Sequence, residues 1–343
     1  MRRQTFELWF GAALTGSLAM AAAGLSSGCD DGDDASAEVV RLDDAVRLTF
    51  SESGESSQNP AFSPDGKYVL YTRFLGGYNA VPSELVRLEI ATLEEEVIIP
   101  AQGDVENTSV PGTAWVDGKI CWSSDAAGAS NEIFVANDDG TSIEQVTDHP
   151  ESEGYYIEPV FNPLDTDRIV FEYGPSDDEP HHIAIVERDQ ADLVTVLTDD
   201  DQYDDRLPNW SFDGAAILFQ RADAGDENWR IVTAAIDFSG SEPALVDVAE
   251  MPQPDEDNTD NSWFADGAHV LSSTYWESEM PNIFLYPVDG DEPIRVTETP
   301  SNEDGAPSSS YDGTRIAFES HLGDDEEYPS EIWIIAAPAL SSE

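Results

Sequence analysis

The chain has 343 residues, and its composition, with 40% hydrophobic and 10% aromatic residues, supports a folded core rather than a disordered chain. It carries 71 acidic residues against 15 basic ones, which gives a formal net charge of −56. A field of this sign repels phosphate backbones, so nucleic acid is a poor partner, whereas cations, basic proteins or a salty medium suit it.

The first 28 residues are predicted to be an export signal. Arg2 and Arg3 precede an apolar stretch, Leu8–Leu25, which small residues and Cys29 follow. This order of charged, apolar and small segments is typical of export. The tail Leu25-Ser26-Ser27-Gly28-Cys29 resembles the lipobox of bacterial lipoproteins, although its Leu stands four places before the Cys instead of three. The resemblance implies lipidation of Cys29 and an anchor in a bacterial membrane, on the periplasmic or the outer-surface side.

Two other fates of this segment stay open. Ala21-Ala22-Ala23 is also a candidate for an ordinary cleavage site, which would release a soluble periplasmic protein. Alternatively, the apolar stretch stays uncleaved as an anchor, since it is near the lower limit of about 17 residues for a membrane span. Residues 29–44, which include the run Asp30-Asp31-Gly32-Asp33-Asp34, are predicted to be an acidic, disordered tether.

A motif then recurs between residues 45 and 343. Its clearest copy is Asn59-Pro60-Ala61-Phe62-Ser63-Pro64-Asp65-Gly66, which leads into the apolar run Lys67–Tyr71. Asp-Gly between two apolar runs is a strong hairpin signal, because Gly accepts the positive φ that a tight turn requires. Further copies centre on Asp117-Gly118, Asp213-Gly214, Asp266-Gly267 and Asp312-Gly313, and one copy, Pro159–Pro163, lacks the Gly.

A second hairpin follows the first in each copy, as in Glu132–Ala136 and Ile143–Thr147. Four strands in roughly 50 residues form one propeller blade. The pattern Pro-x-[Phe/Trp]-Ser-Pro-Asp-Gly resembles the WD40-like repeat of the TolB propeller family over residues 45–343. The resemblance implies an all-β, six-bladed propeller of four-stranded antiparallel blades.

The two ends of the repeat region are predicted to meet. Ala45–Phe50 reads as a fourth strand without a blade before it, whereas the last copy stops after its third strand, Glu331–Ala336. Pairing these two strands would remove two open sheet edges. We therefore expect the N-terminal strand to close the ring.

The sequence contains none of the common catalytic or cofactor motifs, such as Gly-x-Ser-x-Gly, His-Glu-x-x-His, Cys-x-x-Cys or a phosphate loop. His181 and His182 are adjacent, so in a strand they point to opposite faces. Cys121 lies in an apolar run and is predicted to be a buried, inert thiol without a disulfide. No catalytic residue is predicted, and a lyase or hydrolase with unidentified residues remains an alternative.

One face of the ring is expected to bind. The loops between blades and those between second and third strands share a face, and here they are long and acidic. Long loops on a rigid scaffold usually carry function. The residues assigned to this binding face are Glu158, Asp204, Asp205, Arg206, Asp257, Asp260, Glu303 and Asp304.

The leading hypothesis is a non-enzymatic, monomeric scaffold of the cell envelope that binds a basic envelope protein through this face. A calcium- or carbohydrate-binding propeller is the alternative. Crowded carboxylates such as Asp204, Asp205 and Asp260 would suit Ca²⁺, which accepts six to eight oxygens in flexible geometry. The acidity is also consistent with a plain adaptation to salt or for solubility.

Overall fold

A computed structural model describes residues 41–340, apart from 129, 150–153, 177–178, 189–192, 227, 255–256, 291 and 324–327. The predicted export signal and Cys29 lie outside the described residues. The described residues form six antiparallel sheets, each with four strands along its main path, so the predicted six-bladed propeller is confirmed. Within these ranges, no helix has the length and apolarity that a bilayer span requires.

The strands follow one another blade by blade. Blade 1 contains β2 (Ser56–Phe62), β3 (Tyr68–Phe74), β4 (Ser83–Glu89) and β5 (Glu95–Ile99). Blade 2 contains β6 (Asn107–Thr108), β7 (Trp115–Val116), β8 (Lys119–Ser124), β9 (Glu132–Asn137) and β10 (Glu144–Gln145). Blade 3 contains β11 (Tyr155–Asn162), β12 (Asp165–Gly174), β13 (His182–Glu187) and β14 (Val194–Val196).

Blade 4 contains β15 (Tyr203–Trp210), β16 (Ile217–Asp223), β17 (Arg230–Asp237) and β18 (Ala244–Glu250). Blade 5 contains β19 (Asn258–Trp263), β20 (His269–Thr274), β21 (Asn282–Pro287) and β22 (Ile294–Arg295). Blade 6 contains β23 (Asn302–Ser309), β24 (Arg315–Leu322), β25 (Glu331–Ala336) and, from the other end of the chain, β1 (Val46–Arg47). The first strands of neighbouring blades contact one another and surround the propeller axis.

The Asp-Gly turns form as the repeat predicts. Gly66 has a φ of 67°, and Gly214 and Gly313 each have a φ of 66°. The Asp before the Gly caps the turn: Asp65 Oδ1 accepts hydrogen bonds from the Ser63 hydroxyl at 2.9 Å and from the Lys67 N–H at 3.1 Å. The side chain therefore holds the backbone in the conformation that Gly makes accessible.

The hydrophobic core lies between the blades. Aromatic residues of the second strands, such as Phe171 and Phe219, are fully buried, and so is Trp210 on a first strand. Cys121 is also buried, in the cluster between blades 2 and 3, so the predicted burial of its side chain is confirmed. Each blade buries its faces against its neighbours, so the core is shared around the ring.

The ring closes through β1 and β25. The two strands pair antiparallel, with Val46 opposite Ile334 and Arg47 opposite Trp333. Glu331 strengthens the junction, because its carboxylate pairs with Arg47 and accepts a hydrogen bond from the Thr49 hydroxyl at 2.6 Å. The predicted closure is confirmed, although the paired strand is shorter than the six residues expected.

The segment before β1 is packed on blade 6. The Arg41 guanidinium forms ion pairs with Asp304 at 2.8 Å and with Asp43 at 2.9 Å. It also lies over the rings of Phe318, at 4.9 Å, and Trp333, at 5.0 Å. The last four residues of the predicted disordered tether thus belong to the folded domain, because these buried contacts hold them.

Candidate functional site

A bulge recurs at the same place in the first strand of five blades. The residues at these bulges are Asn59, Glu158, Leu207, Asp260 and Ala306, and their φ values lie between 46° and 58°. Each coincides with a register shift against the second strand. Positive φ is uncommon outside glycine, and bulges often re-aim side chains beside functional sites. In blade 2, the segment between β6 and β7 takes this place.

The bulges surround a pocket of about 90 Å³, here called the axial pocket. All six blades contribute to it. Its lining consists of Gln58, Asn59, Tyr78, Asn79, Thr108, Glu158, Glu172, Arg206, Leu207, Gln220, Trp229, Asp257, Thr259, Asp260, Ala306 and Glu319. Tyr78 and Trp229 come from loops between second and third strands. The pocket therefore opens on the long-loop face.

Glu158 and Glu172 are neighbouring carboxyl groups that line this pocket. Burial and the adjacent Glu172 charge raise the pKa of Glu158 well above its usual value. Burial alone would also raise the pKa of Glu172, but His181 and Arg206 lower it. Glu172 pairs with His181 Nδ1 and accepts a hydrogen bond from the Leu207 N–H at 3.0 Å. Of the two carboxyl groups, Glu158 is therefore the one that resists ionisation.

Two further carboxyl groups contact the backbone of the bulges. Asp260 accepts a hydrogen bond from the Ala306 N–H at 3.1 Å, and burial raises the pKa of Asp260 to about 6. Glu319 accepts hydrogen bonds from the Asn59 N–H at 2.8 Å and from the Tyr78 hydroxyl at 3.3 Å. Burial, with the nearby Asp260, raises the pKa of Glu319 to about 8. Negative charge is therefore costly in this pocket.

The basic residue of the lining is already neutralised by a partner. Arg206 makes two hydrogen bonds to Asp204, at 2.9 and 2.8 Å, and lies 5.4 Å from the Trp229 ring centre. Asp205 pairs in the same way with Arg221, at 2.6 and 2.8 Å. Asp204 and Asp205 are therefore committed to arginines.

The described residues contain no group of three or more His, Cys, Asp or Glu side chains that could hold a metal ion. Asp204, Asp205 and Asp260, which the sequence suggested as calcium ligands, do not assemble into such a group. The first two are satisfied by arginines, and Asp260 lines the axial pocket.

The structure divides the eight residues assigned to the binding face. Glu158, Arg206, Asp257 and Asp260 line the axial pocket. Asp204, Asp205 and Asp304 form ion pairs outside the pocket lining. The Oε2 atom of Glu303 lies 3.8 Å from Nε2 of His321.

Sequence analysis missed Glu172 and Glu319. Both directly follow the buried aromatic residue of a second strand, Phe171 and Phe318, and Gln220 follows Phe219 in the same way. In the sheet, each lies opposite the residue just before the bulge. A polar residue after the strand aromatic is thus the signal that would have identified them.

No protein-family model matches the sequence, and a search of curated proteins finds no match. Solved structures do match. A gluconolactonase from Xanthomonas campestris is 14% identical with a TM-score of 0.58, over 87% of this chain and 91% of that one. TolB from Acinetobacter baumannii is 14% identical with a TM-score of 0.52, over 83% of this chain and 64% of that one.

An oligogalacturonate lyase from Vibrio parahaemolyticus is 14% identical with a TM-score of 0.51, over 87% of this chain and 96% of that one. At such low identity, these matches concern the fold alone. They support a TolB-like propeller, as the repeat predicted. Because the neighbours include enzymes as well as TolB, function must be argued from the site itself.

Proposed function

We propose that this protein is a non-enzymatic binding protein of the cell envelope, which takes a cationic group of a ligand or a basic partner into the axial pocket. Among the described residues that line the pocket, five are acidic and one is basic. The basic one, Arg206, is already paired with Asp204. A cation is the group that such a lining complements.

The observation that carries the proposal is the state of Glu158. Its side chain lines the pocket and is 8% exposed, yet its Oε2 atom has no hydrogen-bond partner among the described residues. An unsatisfied buried acceptor costs about 1–3 kcal/mol. A ligand that donates an N–H to Glu158 would remove this cost and would balance the adjacent carboxylates.

The pocket walls also suit a cation. Trp229 and Tyr78 are among the lining residues, and cations are attracted to aromatic faces. Trp229 already holds the Arg206 guanidinium in this way. The cell-envelope location rests on the sequence resemblance at Cys29.

An enzyme is the second candidate. Glu158 and Glu172 are neighbours whose pKa values are shifted in opposite directions, which is the arrangement of acid and base carboxyls in hydrolytic enzymes. A gluconolactonase and an oligogalacturonate lyase share the fold. Turnover of lactone or uronate substrates that is lost in Glu158→Gln would favour this candidate over binding alone.

Calorimetry at constant ionic strength tests the proposed function. The probes are the Nα-acetyl methylamides of lysine and arginine, with the norleucine compound as the uncharged control and galacturonate as the carbohydrate probe. We expect a cationic probe to bind at least tenfold more tightly than norleucine, because only a cation complements the lining. Equal binding of all probes, or tighter binding of galacturonate, would contradict the proposal.

Variants locate the binding. Glu158→Gln keeps the shape of the side chain but replaces the ionisable carboxyl group, which a bound cation would help to ionise, by a neutral amide, so we expect affinity for the cationic probe to fall at least tenfold. Glu242→Gln is the matched control, since Glu242 is exposed in the turn between β17 and β18 on the opposite face. If both variants weaken binding equally, the cation responds to the overall field and not to the pocket.

A further inference from the structure

A second cavity of about 30 Å³ lies on the axis below the axial pocket, and we call it the floor cavity. The two share the five bulge residues as lining. The floor cavity adds Val110, Pro111, Pro208, Asn209 and Asn261. Asn209 and Asn261 come shortly after the bulges, so the cavity lies deeper along the first strands. The two cavities are therefore adjacent along the axis.

Three buried acceptor oxygens of residues that line the floor cavity lack a hydrogen-bond partner among the described residues. They are Glu158 Oε2, Asn209 Oδ1 and Asn261 Oδ1. Asn209 is 3% exposed and Asn261 is 4% exposed. Buried polar atoms are normally satisfied, so three such acceptors around one small cavity point to an absent donor.

The orientation of both amides is fixed by their nitrogens. Asn209 Nδ2 donates to the carbonyl of Pro111 at 2.9 Å, and Asn261 Nδ2 donates to the carbonyl of Asn258 at 3.0 Å. A flipped amide would bring two oxygens together in each case. The unpartnered atom of each amide is therefore its oxygen, so a ligand group that complements these amides must be a hydrogen-bond donor.

We propose that the floor cavity receives a primary ammonium group at the end of an alkyl chain that lies in the axial pocket. This inference rests on the proposed function, because it specifies which cationic group the pocket takes. An ammonium group carries three N–H donors, which matches the three unpartnered acceptors. Asp260, which also lines the cavity, supplies a second carboxyl group.

Other cations fit less well. Guanidinium is planar and carries five N–H donors, and a quaternary ammonium carries none. Calcium prefers six to eight oxygens, which is more than the three acceptors left unpartnered here. A water needs roughly 10–15 Å³ of such space, so the cavity has room for a water-sized head group and little more.

The ammonium could come from a lysine side chain of a partner protein or from a free diamine. Both sources share the same chemistry, and binding data separate them. A lysine compound with capped termini represents the protein source, and 1,5-diaminopentane represents the free source. Binding of either one supports the inference, and the tighter of the two identifies the source.

The deciding experiment compares Nα-acetyl-lysine methylamide with its Nζ-trimethyl derivative and with the arginine compound, by calorimetry on the wild-type protein. We expect trimethylation to weaken binding at least tenfold, since it removes all three donors but keeps the charge. Equal binding of the lysine and trimethyl-lysine compounds, or tighter binding of the arginine compound, overturns the ammonium inference and leaves the cationic pocket intact. Absence of binding by every cation overturns both proposals.

A variant adds a second readout. Asn261→Ala removes one floor acceptor, so we expect it to weaken the lysine compound at least fivefold and to leave the arginine compound, which stays in the upper pocket, within twofold. A larger rise in melting temperature with calcium chloride than with the lysine compound, at matched ionic strength, would make the cavity a metal site and overturn the inference. The wild-type ligand series decides the matter if this variant does not fold.

Discussion

The carboxylate of Glu319 accepts a hydrogen bond from the backbone N–H of Asn59 at 2.8 Å, across the boundary between the last blade and the first. The same carboxyl group is buried among acidic neighbours, which raises its pKa to about 8 from an ordinary value of 4.5. The Glu319 side chain thus links the last blade to the first, and ionising its carboxyl group costs free energy in the folded protein.

The raised pKa of Glu319 predicts that the free energy of unfolding depends on pH. Between pH 4.5 and about 8, Glu319 binds a proton in the folded state and loses it on unfolding, so its contribution to stability declines as pH rises. Relative to Glu319→Gln, the wild type should lose at least about 1 kcal/mol between pH 5 and pH 9. Urea unfolding across this range measures it. The difference in unfolding free energy between the wild type and Glu242→Gln should not change with pH. A parallel decline in that difference would refute the assignment of the pH dependence to Glu319.

The Arg41 contact predicts a large effect from a small change. Arg41 and Asp304 have side chains 6% and 0% exposed, so Arg41→Met leaves a buried carboxylate without its main partner. We expect a loss of about 3 kcal/mol, partly recovered in the double variant with Asp304→Asn. Lys67→Met is the control, since the Lys67–Asp65 pair is 67% and 50% exposed. Equal unfolding midpoints for Arg41→Met and Lys67→Met would show that the segment does not contribute to stability.

Leu207 predicts a stabilising substitution. Its φ of 51° is unfavourable for a leucine, whereas asparagine tolerates this conformation and occupies the equivalent bulge at Asn59. Leu207→Asn should raise the free energy of unfolding by about 0.5–1 kcal/mol, because it relieves backbone strain. Leu197→Asn, at a half-buried leucine without positive φ, should be destabilising. A loss at both positions would mean that the Leu207 side chain contributes more than its strain costs.

The proposed export signal leads to a prediction about the location of the protein. Cys29→Ala should move it from the membrane fraction to the soluble fraction, since each buried methylene of an acyl chain contributes about 0.8 kcal/mol to anchoring. Fractionation of cells that express the two forms measures the change. Retention of the variant in the membrane would favour an uncleaved anchor over lipidation.

Local chemistry explains what the sequence could predict. The Asp65-Gly66 turn and its counterparts depend on neighbouring residues, so the hairpins and the blade count follow from the pattern. The closing strand was predictable because the last sequence copy lacks a fourth strand and the segment before the first copy supplies one.

The site depends on contacts between distant segments, which no local pattern specifies. Asp205 and Arg221 are partners across two strands, so the charge of Asp205 is matched by a residue that sequence analysis did not connect with it. Glu172 and Glu319 reach the axis from second strands and not from loops. The floor acceptors depend on how Asn209 and Asn261 orient after a bulge, which is set by their backbone partners.

The pairing of β1 with β25 has a consequence for the order of events during synthesis. Residues 46–47 are synthesised before every other strand of the ring, whereas their partners at 333–334 are synthesised after all the other described strands. Until then β1 and β24 lack the strand that lies between them and expose open edges. The ring therefore cannot close until its last described strand, β25, has been synthesised.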